Sequence, residues 1–243
     1  MRSYRLFQAQ LFPVLPYLIF QAKQVRKNNP LPPAKSNHLI LGTNTKRILI
    51  LGESTAAGVG ASEPENTLAG NIYRMFDQNY QVINLGKNGL RVKELIPTFQ
   101  EDLSGLIGDF EGIFLFIGAN DCFRLTNPKD FRNKLEYLIK QLQQDLSPKW
   151  IYLADIPPVQ LFPSFPTSLQ FYLEKQRGFL TGEMQKLATS NPLLIYEKIQ
   201  MSLDKEFFCS DGIHPSNLGY KAIAEFAIDG IKRWSAKMKK DIF

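Results

Sequence analysis

Serine, histidine, aspartate and asparagine occur in this chain at turns that follow apolar runs. The first such turn is LILGESTAAGVG, Leu49 to Gly60, where a strand-like run ends in glycine, one acid and one serine. A phosphate cradle needs four residues between its glycines, then Lys followed by Ser or Thr. Here Gly52 and Gly58 have five residues between them and Val59 follows, so no lysine is placed to meet a phosphate. The dinucleotide pattern GxGxxG fails because Gly58 and Gly60 are followed at the third position by Glu63, and the GxSxG elbow fails because Ala56 stands where its second glycine belongs. A tight bend or a generic anion site at a helix start stays open; the catalytic alternative is an activated serine. It requires a base within hydrogen-bond reach, a carboxylate to orient that base, and donors for the developing oxyanion.

The chain has two histidines. His38 lies in a polar stretch and reads as solvated. His214 lies in SDGIHPS, three residues after Asp211, so one short turn brings carboxylate and imidazole together. Scarcity and spacing make His214 the expected base and Asp211 its orienting group. Asn120, in GAND, offers a side-chain amide to an oxyanion, or serves only as a turn residue with Asp121. Gly89, in NLGKNGL, offers an unobstructed backbone N–H, or is an ordinary bend with positive φ.

These residues need elements that bring them together. Five β-type runs recur with helical spacing between them: Arg47 to Leu51, Gln81 to Leu85, Gly112 to Ile117, Trp150 to Ile156 and Leu193 to Tyr196. The central ones are continuously apolar, as strands covered on both faces are. Asn127 with Pro128 opens a helix whose apolar face is Phe131, Leu135, Leu138, Leu142 and Leu146. A last helix opens at Ser216 and is expected to bury Ala222, Phe226 and Trp234. The alternation predicts a single three-layer α/β/α doubly wound, flavodoxin-like domain with a five-stranded parallel sheet. In such sheets ligands bind beyond the carboxyl ends of the strands, where Ser54, Gly89 and Asn120 fall.

Charge is uneven along the chain. The first 52 residues hold eight basic residues and no acid, whereas the whole chain has 29 basic and 23 acidic residues, so the remainder is close to neutral. A basic terminus on a neutral body does not make a nucleic-acid groove, and no nucleic-acid partner is expected. Residues 1–27 contain LFQAQLFPVLPYLIF between Arg2 and Arg5 on one side and Lys23, Arg26 and Lys27 on the other. This run is shorter than the roughly 20 apolar residues of a spanning helix and lacks a small-x-small cleavage site. Two readings stay open for it: a peripheral anchor in an anionic membrane surface, or an apolar arm packed on the domain. The expected location is accordingly cytoplasmic or peripherally membrane-associated. The prolines and polar residues of 28–45 read as a linker, with the catalytic domain over 46–243. Cys122 and Cys209 are the only cysteines and read as free thiols.

The blocks GES, NLGKNG, GAND and DGIH stand in an order that resembles the SGNH hydrolases, also called GDSL esterases or lipases, from about Lys46 to the last helix. The resemblance implies Ser54 as nucleophile, His214 as base and Asp211 as its partner, with Ser54, Gly89 and Asn120 forming the oxyanion hole and no metal or organic cofactor. It favours Gly89 over Gly86, because the family's oxyanion glycine sits about five residues beyond the Asn ending the second strand, here Asn84. Glu53 departs from the family's usual aspartate and puts the geometry of the loop in question, not the reaction. The expected activity is hydrolysis of carboxylic esters, small-molecule or lipid. An O-acyltransferase or carbohydrate O-acetyl esterase would use the same triad, and an inactive membrane-surface binding module could keep the same fold. The loop after the fourth strand, with Phe162, Phe165 and Phe171, is expected either to wall an acyl chain or simply to pack.

Overall fold

The computed structural model describes residues 2–106, 108–201 and 203–239. The chain opens with α1 (Arg2–Leu11) and α2 (Leu15–Asn28), joined through a 3₁₀ turn at Phe12–Val14. Pro13 and Pro16 each remove an N–H from the helical ladder, which accounts for the interruption. There follow β1 (His38–Leu41), β2 (Arg47–Gly52), α3 (Leu68–Met75), β3 (Gln81–Gly86), α4 (Leu95–Thr98), α5 (Gln100–Ser104), β4 (Gly112–Phe116) and α6 (Ala119–Phe123). The chain ends with α7 (Pro128–Leu146), β5 (Ile151–Leu153), α8 (Thr167–Ser190), β6 (Leu194–Ile195) and α9 (Asn217–Met238).

The sheet order is β1-β3-β2-β4-β5-β6. The last five strands run parallel in the doubly wound order expected of a flavodoxin-like sheet, and β1 adds an antiparallel edge, pairing His38 with Leu85 through Leu41 with Val82. This sixth, antiparallel strand adds to the five parallel strands expected and lies within 28–45, the stretch expected as a linker. Four residues with alternating partial exposure, just beyond a proline-rich stretch, give almost no strand signal.

Alternate residues of each strand feed two cores. Leu49, Leu51, Ile83, Leu85, Ile113 and Leu115 face α7, α8 and the N-terminal helices, while Ile48, Ile50, Val82, Phe114 and Phe116 face α3 and α9. That makes three layers. On α7 the buried stripe is the one its spacing predicts, and Asn127 accepts the Lys129 N–H as N-cap. On α9 the stripe is rotated from the expected one: Tyr220, Ala224, Ala227, Ile228 and Ile231 are buried, whereas Ala222, Phe226 and Trp234 are half-buried. Small alanines allow close approach to α3, and residue size gave no sign of that.

Phe7, Leu11, Leu18 and Val25 bury one side of the α1–α2 arm. Phe7 and Tyr4 pack on Phe179 of α8, and the Ser168 hydroxyl donates to Gln21 Oε1 at 2.8 Å. No helix among the described residues is long and apolar enough to cross a membrane.

Candidate active site

The site lies where β2 sits between β3 and β4, so that the chain leaves the sheet in opposite directions and opens a crevice beyond the strand ends. Ser54 follows β2 by two residues. Its loop is a tight series of turns closed by Ala57 N–H to Glu53 O at 2.9 Å and Val59 N–H to Ser54 O at 3.2 Å. It is held from three sides. Glu53 N–H donates to Phe116 O at 2.9 Å, the Tyr220 hydroxyl of α9 donates to Val59 O at 2.8 Å, and Ala56 O accepts from Ser36 Oγ at 2.9 Å and Asn84 Nδ2 at 3.0 Å.

Glu53 is buried, and its carboxylate caps the short α6. Oε1 accepts the Ala119 N–H at 2.8 Å, and Oε2 accepts both the Asn120 N–H at 3.0 Å and Asn120 Nδ2 at 2.5 Å. Those two backbone donors belong to the first turn of a helix, where no intrahelical acceptor exists. Burial pushes Glu53 up from 4.5 to about 7, even though the Asn120 and Ala119 donors pull it down. One Asn120 amide proton is thereby committed to Glu53 and the other is left for the crevice.

Beyond β3, Gly89 has φ +85, and a Cβ placed there would meet nothing within 4 Å. At Gly86 a Cβ would lie 2.3 Å from Ala57 N, so that glycine lets the end of β3 press on the Ser54 loop. The two glycines thus differ, one packed and one open. Among the described residues, neither the Ser54 N–H nor the Gly89 N–H has a protein partner.

His214 comes from the loop before α9, a narrow turn closed by a bridge between Phe208 and Pro215. Asp211 organises this turn: Oδ1 accepts the N–H groups of Ile213 and His214, each at 2.9 Å, and Oδ2 meets His214 Nδ1 at 2.6 Å. Burial alone would raise Asp211, but the hydrogen bonds from His214 and Ile213 outweigh it and hold the group down to about 2. An ionised Asp211 is an acceptor for a proton on Nδ1, the tautomer that would leave Nε2 free to accept. No hydrogen bond joins Ser54 Oγ to His214 in this structure; both line the same cavity. The Cys209 thiol donates to Asp211 Oδ1 at 3.2 Å, burial pushes it up to about 11, and Cys122 is a separate free thiol. His38 stays outside the site, exposed, 3.6 Å from Asp102.

The cavity, about 1020 Å³, brings together Ser54, Gly89, Asn120, Asp211 and His214 with Phe162 and Phe165. Phe171 is not part of it. It lies against Tyr172 with Lys175 over its ring and is 49% exposed, because its place on α8 turns it away from the cavity that Leu169 and Leu173 line. Sequence reasoning missed the opposite wall, which α2 and the residues just after it supply through Leu15, Ile19, Val25 and Leu31. Their apolar spacing was visible, but nothing in it indicated which cavity the helix would cover.

Residues 50–222 match the family model of the GDSL-like lipase/acylhydrolase family. No curated protein matches the chain in sequence. Among solved structures, a lipolytic protein of the G-D-S-L family from Veillonella parvula superposes with a TM-score of 0.63 at 16% identity, over 78% of this chain and 100% of that one. The psychrotrophic esterase EstA from Pseudoalteromonas sp. gives 0.60 at 19% identity, over 78% and 98%. The aryl esterase of M. smegmatis gives 0.61 at 15%, over 78% and 100%. The fold is common to all three, and with the family match spanning most of its length, this chain belongs to the GDSL-like lipase/acylhydrolase family of carboxylic ester hydrolases.

Proposed function

We propose that the chain hydrolyses lipophilic carboxylic esters through an acyl-enzyme on Ser54. Ser54 Oγ attacks the ester carbonyl carbon while His214 Nε2 takes its proton, and ionised Asp211 holds the imidazole tautomer and steadies the imidazolium. The carbonyl oxygen gains the negative charge and is met by the Ser54 and Gly89 N–H groups and the uncommitted proton of Asn120 Nδ2. Collapse expels the alcohol, which takes the proton from His214. Water then attacks the acyl-enzyme, giving its proton to His214, and release of the acid returns that proton to Ser54 Oγ.

The observation that carries this reading is the convergence on one cavity of an ionised Asp211 hydrogen-bonded to His214, a serine, and two N–H groups that are unpaired among the described residues. An apolar volume of about 1020 Å³, at the upper end of small-molecule sites, supports an acyl chain rather than an acetyl group as the part bound. A series of p-nitrophenyl esters of increasing chain length tests it. Turnover is expected to favour medium or long chains and to fall by several powers of ten in Ser54→Ala. Unchanged hydrolysis in Ser54→Ala would remove the reading.

A further inference from the structure

The α1–α2 arm has two apolar sides. Phe7, Leu11, Leu18 and Val25 pack inward, which is all that an arm serving only to cover the domain would need. The other side is also apolar and stands in solvent, with Phe12 79% and Phe20 58% exposed beside Ile19. Along α2 these residues run into cations: Ile19, Lys23 and Arg26 follow one another at spacings of four and three, and Phe20, Lys23 and Lys27 at three and four, so they share one side of the helix. Among the described residues Lys23, Arg26 and Lys27 have no carboxylate partner, and the first acid in the chain is Glu53.

This face is continuous with the catalytic cavity. Ile19, Lys23, Arg26 and Leu31 are exposed and also line the cavity, so the mouth opens at the apolar and basic surface. We infer that the outer face of the arm docks on an anionic lipid surface and sets the cavity mouth against it, so that the acyl ester enters from the lipid phase. Phe12, Ile19 and Phe20 bed at the boundary of headgroups and acyl chains, and Lys23, Arg26 and Lys27 meet the lipid phosphates. The route of the substrate rests on the esterase reading given above. The docking itself rests on the arm alone.

The test uses the full chain with vesicles of phosphatidylcholine, with and without phosphatidylglycerol. Wild type is expected to sediment with the anionic vesicles and to be released as salt screens the cations. The pair Phe12→Asp with Phe20→Asp should weaken binding at least tenfold, and Lys27→Gln about fivefold, in line with one headgroup contact. None of these three residues lines the cavity, so hydrolysis of a soluble short-chain ester should stay at the wild-type rate, and that of a long-chain ester carried in the vesicles should fall with binding. Failure of wild type to bind anionic vesicles, or equal binding by the Phe pair, overturns the inference. So does a wild-type dimer that the Phe pair dissolves without vesicle binding, which would assign the face to a second copy. Vesicle binding without Ser54-dependent turnover of either ester would uphold the docking and remove the hydrolase reading instead.

Discussion

Glu53→Gln separates the work of the Glu53 carboxylate from its bulk. The wild-type group accepts three hydrogen bonds from Ala119 and Asn120 in a buried site, two of them on one oxygen. An amide keeps a single acceptor oxygen and turns its own N–H₂ toward one of those donors, so at least one bond is lost and the charge assistance goes with it. Because Oε2 also holds Asn120 Nδ2, the variant loosens the side chain proposed as an oxyanion donor. Full loss of such a donor costs about 10² to 10³ in kcat, and a loosened one should cost about 10- to 100-fold at pH 8. Stability moves the other way. The folded-state value of about 7 lies above the ordinary 4.5, so the group's contribution to stability is fully present below 4.5 and is lost as pH rises through 7. At about 1.4 kcal/mol for each pH unit that loss is roughly 3 kcal/mol. Gln does not ionise, so between pH 5 and 8 the Tm of the variant relative to wild type should rise by about 6 to 12 °C. Differential scanning calorimetry and esterase kinetics across that range read both effects. Wild-type kcat should rise as pH passes through about 7 as Glu53 ionises, and this component should vanish in the variant. A variant with wild-type kcat at pH 8, or a Tm difference independent of pH, would refute the reasoning.

Asn120→Ala should lower kcat by about 10²- to 10³-fold with little change in KM; a near-wild-type rate removes Asn120 from the oxyanion hole. Asp211→Asn should lower kcat by up to about 10⁴, because the amide no longer enforces the Nδ1–H tautomer. Asp211 is held below its ordinary 3.8, so the stability it supplies is present above 3.8 and lost as pH falls toward 2; acid unfolding monitored by circular dichroism should show that loss in wild type and not in the variant. Gly86→Ala should destabilise by about 1 to 3 kcal/mol or more, whereas Gly89→Ala, with open space around it, should cost about 1 kcal/mol of backbone strain; equal denaturation midpoints would contradict the division between them.

The parallel strands were legible because burial on both faces leaves an unbroken apolar run, and β2, β3 and β4 start where those runs do. The fourth and fifth runs shrink to Ile151–Leu153 and Leu194–Ile195, since an apolar stretch continues after a strand leaves the sheet. Ser54, Asn120, Asp211 and His214 stand out in the sequence as candidates because each carries a polar or reactive group at a strand end or just before a helix, and the fold brings the four to one cavity. The role of Glu53 was not legible, because capping α6 requires a carboxylate from one loop to reach the first turn of an element 66 residues away. Phe171 shows the opposite failure, an aromatic near the right loop whose direction depends on the phase of α8.

Residues 34–41 lie within the polar, proline-rich stretch 28–45 that reads as a linker, and they supply restraints on the serine loop. Lys35 and Ser36 donate their N–H groups to Ala57 O, the Ser36 hydroxyl donates to Ala56 O, and Asn37 O accepts the Gly86 N–H at 2.7 Å. Asn84, buried in β3, bridges Ser36 O and Ala56 O with one amide nitrogen, tying the strap, the strand and the Ser54 turn together. A reactive loop must be held because the oxyanion donors act only when aimed before the charge develops. The family match begins at residue 50, so part of that restraint comes from outside it. The fold around the Ser54 loop therefore extends N-terminally past β2, through the antiparallel edge strand and the strap, to the helical arm that lines the cavity.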